Sequence, residues 1–187
     1  MGIMKYEEFY PMTEQGEPPQ FKNYVPPSFD EVCMKQVYLA AERSKDPRTK
    51  IGSVLVKEKS IIGTGYNGFA RKVLDLPERY NDRNTKYAFV VHSEANAILT
   101  CARLGISTMN SILYTNGIPC NECMKSVIQS GIIEIVIHKQ WPEMDSDKWR
   151  EATRISNIML KETGINIRKF DMVLNMKGFL DGEIISV

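Results

Sequence analysis

His92-Ser93-Glu94 and Pro119-Cys120-Asn121-Glu122-Cys123 hold the side chains best suited to metal chemistry in this sequence. Cys120 and Cys123 are three positions apart, a spacing that puts both sulfurs on one side of a single helical turn. A helix N-terminus favours thiolate over thiol, and thiolate is the form that binds metal. One imidazole and two thiolates make a three-ligand set for Zn²⁺. A catalytic zinc keeps its fourth position for water, whereas a structural zinc fills all four. Water held in that fourth position acidifies to a pKa of roughly 7. Glu94 stands two residues from His92, so its carboxylate is placed to take that water's proton and pass it to a leaving nitrogen. These parts fit a zinc-assisted hydrolytic deamination.

Two other uses of the same residues compete. His138 as a fourth ligand would make the set a closed structural zinc, which leaves Glu94 without a task. A redox Cys-x-x-C of the thioredoxin kind lacks its flanking βαβ context here and has a His-x-Glu partner instead. The remaining cysteines, Cys33 and Cys101, fall on apolar helical faces and read as core thiols.

The elements that must position these groups follow from pattern. Ser28 or Asp30 caps a helix running to about Ser44, with Val32, Val37, Ala40 and Ala41 on its apolar face. Ile51 to Val56 and Ser60 to Tyr66 are β-branched runs joined by Lys57-Glu58-Lys59, an antiparallel hairpin. Residues 67–91 form a long, charged connection of poor periodicity, usually a functional or inserted segment. A helix starts at Ser93, with Ala95, Ile98, Leu99 and Ala102 on one face, and stops at Gly105. Strand 112–115, helix 120–130, strand 133–137, helix 146–163 and a last strand 165–170 then alternate, which implies right-handed crossovers and parallel neighbours. The fold class is α/β, a mixed five-stranded sheet covered by helices. Residues 1–28, with five prolines, read as a proline-rich N-terminal arm that packs on the body or on a neighbouring subunit, and 29–187 as a single domain.

The chain has 187 residues, 43% hydrophobic and 25% charged, enough for a sizeable core without disulfide staples. No apolar run reaches the roughly 18 residues of a membrane span, and the N-terminus carries no signal-peptide core. Together with the cysteine usage this points to a reducing, cytoplasmic setting. Twenty-four Lys and Arg against 23 Asp and Glu give a net charge of +1, which counts against a dedicated partner of long nucleic acid. The balance is uneven, however. Residues 42–72 hold eight basic and three acidic side chains, and within them Arg48 and Lys50 lie in the loop that leads into the first strand, placed to meet a phosphate. Trp141 follows a buried strand and is placed to wall a base pocket, although Trp141 and Trp149 read equally well as packing aromatics.

His92-Ser93-Glu94 followed by Pro119-Cys120-Asn121-Glu122-Cys123 matches the zinc-deaminase signature H-x-E…P-C-x-x-C. The stretch from Ile51 to Gly68, ending Gly65-Tyr66-Asn67-Gly68, and the Ala95-Asn96-Ala97-Ile98 after Glu94 resemble the deoxycytidylate (dCMP) deaminase family, and the likeness covers about residues 30–170. The resemblance implies a five-stranded cytidine-deaminase fold, an oligomer such as a hexamer, and hydrolysis of dCMP to dUMP and ammonia. On this pattern His92, Cys120 and Cys123 hold zinc, hydroxide on the zinc attacks C4, and Glu94 shuttles the proton. Asn67 contacts sugar or base, and Arg48 lies near the 5′-phosphate. Tyr66, Asn67 and Gly68 fall where relatives bind allosteric dCTP or dTTP. Many relatives also carry a structural zinc in the stretch before the His-x-Glu, but residues 67–91 contain no Cys and no His, so Pro77 to Asn84 would fill that space, held by ion pairs, with Arg83 and Lys86 near a phosphate.

The rivals to dCMP are another cytosine nucleotide and a base in tRNA or single-stranded DNA. A polynucleotide substrate needs a basic and aromatic groove beside the pocket. A zinc module that only binds would have no use for Glu94.

Overall fold

The computed structural model describes residues 25–143 and 146–187. Most of the expected N-terminal arm, residues 1–24, therefore lies outside the described residues. The first helix, α1 (Phe29–Ala41), is capped by Ser28, whose Oγ accepts the Glu31 N–H at 3.1 Å. A hairpin follows, β1 (Gly52–Lys57) and β2 (Ser60–Tyr66), turned by Glu58 and Lys59 at φ 49° and 56°. This two-residue, doubly positive turn matches the strands' own twist.

The segment expected as an irregular connection is structured. It contains β3 (Gly68–Phe69), α2 (Pro77–Asn81), α3 (Arg83–Phe89) and β4 (Val90–Val91), with β3 and β4 paired antiparallel. No long apolar period was needed, because specific side-chain contacts hold it. Phe69 stacks on Tyr80 with centroids 4.3 Å apart, Lys45 pairs with Asp75 at 2.8 Å, and Lys86 pairs with Asp46 at 2.9 Å.

Next come α4 (Ser93–Leu104), β5 (Ile112–Thr115), α5 (Asn121–Gln129), β6 (Glu134–His138), α6 (Asp147–Thr163) and β7 (Asn166–Phe170). The five-stranded sheet has the order β2-β1-β5-β6-β7. Its β2, β1 and β5 neighbours are antiparallel, and β5, β6 and β7 are parallel, joined through α5 and α6. This is the mixed α/β sheet expected from the pattern. Strand alternation sends Val54, Val56, Tyr114 and Val136 to one face, against Met34, Val37 and Tyr38 of α1. Leu55, Leu113, Ile135 and Ile137 go to the other face, against Ala97, Cys101, Met124, Val127 and Leu160. Cys33 and Cys101 are fully buried core thiols, as expected.

Three expectations need correction. Val32 is 41% exposed, and α1 buries Cys33, Met34, Val37, Tyr38, Ala40 and Ala41 instead. Leu99 and Ala102 of α4 face solvent, while Ser93, Glu94, Ala97 and Cys101 are buried. The reason is contact with β2: a Cβ on Gly65 would sit 2.2 Å from Ser93 O and 2.4 Å from Ala97 N, and one on Gly63 2.6 Å from Cys101 Sγ, so α4 presses its 93-97-101 edge onto the two glycines of that strand. Finally, β7 is not the last strand. A hairpin of β8 (Lys177–Leu180) and β9 (Glu183–Ser186) follows, turned by Asp181 and Gly182 at φ 50° and 88°. It grips the loop before β1 through Lys50 N–H to Phe179 O at 2.9 Å and Gly182 N–H to Arg48 O at 2.7 Å.

Candidate active site

Two helix starts meet at the carboxyl ends of parallel strands. His92 is the N-cap of α4 and Cys120 the N-cap of α5, neither using its side chain to cap the helix. That leaves both donor atoms free to point into the space between the helices. Asn96 ties the α4 start to the hairpin, its Nδ2 donating to Tyr66 O at 2.8 Å. Ser156 of α6 does the same for the α5 start, donating to Pro119 O at 2.8 Å.

His92 Nδ1 lies 3.4 Å from Cys120 Sγ and 3.5 Å from Cys123 Sγ, and the three donor atoms fall within 4.8 Å of one another. Zn–S of about 2.3 Å and Zn–N of about 2.0 Å at tetrahedral angles give an N···S edge of about 3.5 Å. The donor set therefore fits zinc in type and spacing. Its electrostatics agree. A hydrogen bond from the Cys123 thiol, with help from His92, holds the Cys120 thiol well below the ordinary thiol range, while Cys123 is pushed up by sharing that hydrogen with Cys120 and by burial. The pair shares one proton that a divalent cation can replace. The hydrogen bond to Cys120 likewise raises the His92 pKa.

Glu94, 6% exposed, sits in the first turn of α4. Burial raises its carboxyl pKa, the neighbouring His92 working against the shift. Its Oε2 accepts a hydrogen bond from Ser93 Oγ at 3.0 Å. His138, the candidate fourth ligand, is engaged elsewhere: its Nδ1 is 2.7 Å from the Tyr38 hydroxyl and its Nε2 is 2.9 Å from Met172 O. Among the described residues the metal-type cluster is His92, Cys120 and Cys123 alone.

His92 and Glu94 line a cleft of about 900 Å³, together with Arg48, Asn67, Arg83, Tyr87, Trp141 and Trp149, toward the upper end for small-molecule sites. Trp149 lies over the candidate ligand, its ring stacked on His92 at 6.2 Å. Trp141 is wedged between Gly117 and Gly178, where added Cβ atoms would come within 3.0 Å of its ring, and it presents one side to the cleft. Tyr87 collects cations: Lys148 Nζ at 4.0 Å, Arg83 at 5.5 Å and Lys86 at 5.6 Å from its ring centre.

The sequence-derived substrate residues divide. Arg48 reaches the cleft; Lys50 does not, because its Nζ lies 5.8 Å over the Phe179 ring and it lines a separate depression on that side. Asn67 is on the cleft wall, but its amide works inward. Nδ2 donates to Thr49 O at 2.8 Å, and Oδ1 accepts the Ile51 N–H at 2.8 Å. Tyr66 and Gly68 flank it without lining the cleft; Gly68 pairs with Val91 in β3–β4. Tyr87 and Lys148 were missed from sequence, since no spacing links residues of α3 and α6.

The model for the cytidine and deoxycytidylate deaminase zinc-binding region matches residues 27–139. Mouse (Mus musculus) deoxycytidylate deaminase is 36% identical over 148 residues, which cover 75% of this chain and 78% of that protein. The dCMP deaminase of cyanophage S-TIM5 in apo form superposes with a TM-score of 0.59 at 25% identity, covering 78% of this chain and 100% of the other. Its complex with dCMP and dUMP gives a TM-score of 0.60 at 24% identity, with coverages of 79% and 100%.

Proposed function

The chain belongs to the cytidine and deoxycytidylate deaminase family, and on that premise we propose that it hydrolyses dCMP to dUMP and ammonia. The observation that carries this is the approach of His92 Nδ1 to Cys120 Sγ and Cys123 Sγ at 3.4 and 3.5 Å, in a cleft that Glu94 also lines. Zinc held by these three residues would supply Lewis acidity, bringing the ionisation of water to about pH 7. Glu94 takes one proton from the attacking water and gives it to the ring nitrogen, then takes the remaining proton of the added hydroxyl and gives it to the amine, which leaves as ammonia; its raised pKa suits it to that carrier role. Trp141 and Trp149 wall the base and keep bulk water from the reacting carbon.

Arg48 and Arg83 take the 5′-phosphate, with Lys148 beside Tyr87 adding positive charge at the same rim. Asn67 acts through the loop: its amide holds the turn that carries Arg48. Tyr66, Asn67 and Gly68 are the proposed site for dCTP or dTTP, and a ligand there would shift Arg48 through that same amide. The enzyme works as a homo-oligomer, a hexamer by family pattern, in a reducing cytoplasmic setting. Exposed Leu99 and Leu104 on α4 support assembly, and the four unpaired cysteines support the setting.

The test is a deamination panel of dCMP, CMP, dCTP, deoxycytidine, single-stranded DNA and tRNA, each with and without dCTP or dTTP, with light scattering for the assembly. Turnover of dCMP above all other substrates is the expected result. Zinc-loaded protein that leaves dCMP unchanged overturns the assignment.

A further inference from the structure

Three hydroxyls that are fully buried run away from Glu94 into the sheet. Ser93 Oγ donates to Glu94 Oε2 at 3.0 Å and lies 2.8 Å from Ser53 Oγ; Ser53 Oγ donates to Thr115 Oγ1 at 3.1 Å, which donates to Gly52 O at 3.1 Å. All three residues have 0% exposure. They come from three elements, α4, β1 and β5. Buried polar groups of this kind specify one arrangement when every partner is present.

Counting hydrogens shows what the chain does. Four contacts connect an ionised carboxylate to a backbone carbonyl, and both ends only accept. The three hydroxyls bring three hydrogens. One contact is therefore always short of a hydrogen while Glu94 is ionised, and a hydrogen on Oε2 completes the set. Oε2, the oxygen that Ser93 Oγ contacts, is the one tied into the sheet, while Glu94 also lines the cleft.

We propose that Ser93, backed by Ser53 and Thr115, is a positioning residue that locks the Glu94 carboxylate by its Oε2 and thereby aims Oε1 at the reacting atoms. The proposal rests on the deaminase reading for its kinetic consequence, but not for its geometry. Ser93 does not touch substrate; it acts through Glu94, and Ser53 and Thr115 act through Ser93.

Two readouts test it. In kinetics on dCMP, Ser93→Ala lowers kcat about 10-fold or more with KM within about 2-fold. Ser53→Ala lowers kcat less, and Ser53→Ala added to Ser93→Ala costs nothing further, because its route to Glu94 is already cut. Thr115→Val, nearly isosteric, behaves like Ser53→Ala, whereas Thr115→Ser retains activity. An unchanged kcat in Ser93→Ala, losses that multiply in the double variant, or a KM that rises as much as kcat falls would each overturn the proposal. The second readout needs no turnover. Crystal structures of the zinc-loaded wild type and Ser93→Ala should show the carboxylate rotated away from residue 93 in the variant. An identical carboxylate position in both overturns the proposal, whatever the wild type deaminates. Wild type inactive on dCMP, with the rotation seen, overturns the substrate assignment and leaves the positioning role standing.

Discussion

Lys86 Nζ lies 2.9 Å from Asp46 Oδ2, with the two side chains 10% and 3% exposed. Asp46 also accepts the backbone N–H groups of Arg48 at 2.9 Å and Thr49 at 3.2 Å, and Asn67 Nδ2 at 3.4 Å. One carboxylate therefore joins α3 to the loop that presents Arg48.

Lys86→Met should leave that carboxylate buried and short of its only cationic partner among the described residues. Breaking a buried pair costs about 3–5 kcal/mol, and the three remaining donors put this case near about 3 kcal/mol. The Arg48 loop loses its tether to α3 at the same time, so KM for dCMP should rise several-fold with kcat little changed. Asp46→Asn combined with Lys86→Met should cost less than the two single losses added together. Urea titrations and initial rates check all three statements, and strict additivity would rule out the coupling.

Gly65→Ala tests how the site is built onto the sheet. Its Cβ would come within 2.2 Å of Ser93 O and 2.4 Å of Ala97 N, both backbone atoms that cannot swing aside. The first turn of α4 must lift off β2. Overpacking of this sort costs about 1–3 kcal/mol or more, and the lifted turn carries both His92 and Glu94. Zinc affinity should drop about 10-fold or more along with kcat. Metal analysis after dialysis against a weak chelator gives the answer; full zinc retention with normal kcat would show that α4 adjusts elsewhere.

How much of this was visible in sequence depended on distance along the chain. His92 with Glu94 and Cys120 with Cys123 are local pairs at helix starts, so spacing alone placed them, and the crossovers β5-α5-β6-α6-β7 followed from alternation. The hydroxyl chain Ser93-Ser53-Thr115 joins residues 40 and 62 positions apart, and nothing in local pattern connects them. The β8–β9 hairpin is a different kind of miss. Asp181-Gly182 between apolar runs is a strong hairpin signal, and the position of Lys50 depends on that hairpin, which draws it away from the cleft through Phe179. Leu99 is apolar, and by pattern alone it faces inward. The close approach at Gly65 gives the inward edge of α4 to small and polar residues instead.

His138 gives a pH dependence of stability that is separate from catalysis. It is buried, and its neutral ring fits its partners: the Tyr38 hydroxyl at Nδ1 and Met172 O at Nε2. Burial lowers its pKa below the ordinary value near 6.5. Between the lowered folded pKa and the unfolded value of about 6.5 the unfolded chain binds the proton and the native chain does not, so stability rises with pH across that window. The contribution is complete above about pH 6.5 and declines as pH falls below it. His138→Gln, which keeps a donor and an acceptor but does not titrate, should flatten that slope. Melting temperatures measured from pH 5 to 7.5 decide it: parallel slopes in wild type and variant would assign the dependence to other groups.

Glu94→Gln separates chemistry from metal holding. The amide has the shape of the carboxyl group, and His92, Cys120 and Cys123 keep their own positions at two helix starts. Zinc content should therefore match that of the wild type. The amide has no proton to give or take, so kcat on dCMP should fall about 10² to 10⁴-fold. Stability of the metal-free protein should move the opposite way. Burial raises the Glu94 pKa, which means that the ionised carboxylate weakens the native state at every pH above its unfolded value of about 4.3. Removing the charge removes that penalty, so the metal-free variant should melt at or above the wild-type temperature. A variant that keeps its zinc and still turns over dCMP at the wild-type rate would remove Glu94 from the reaction and leave the cleft without its proton carrier.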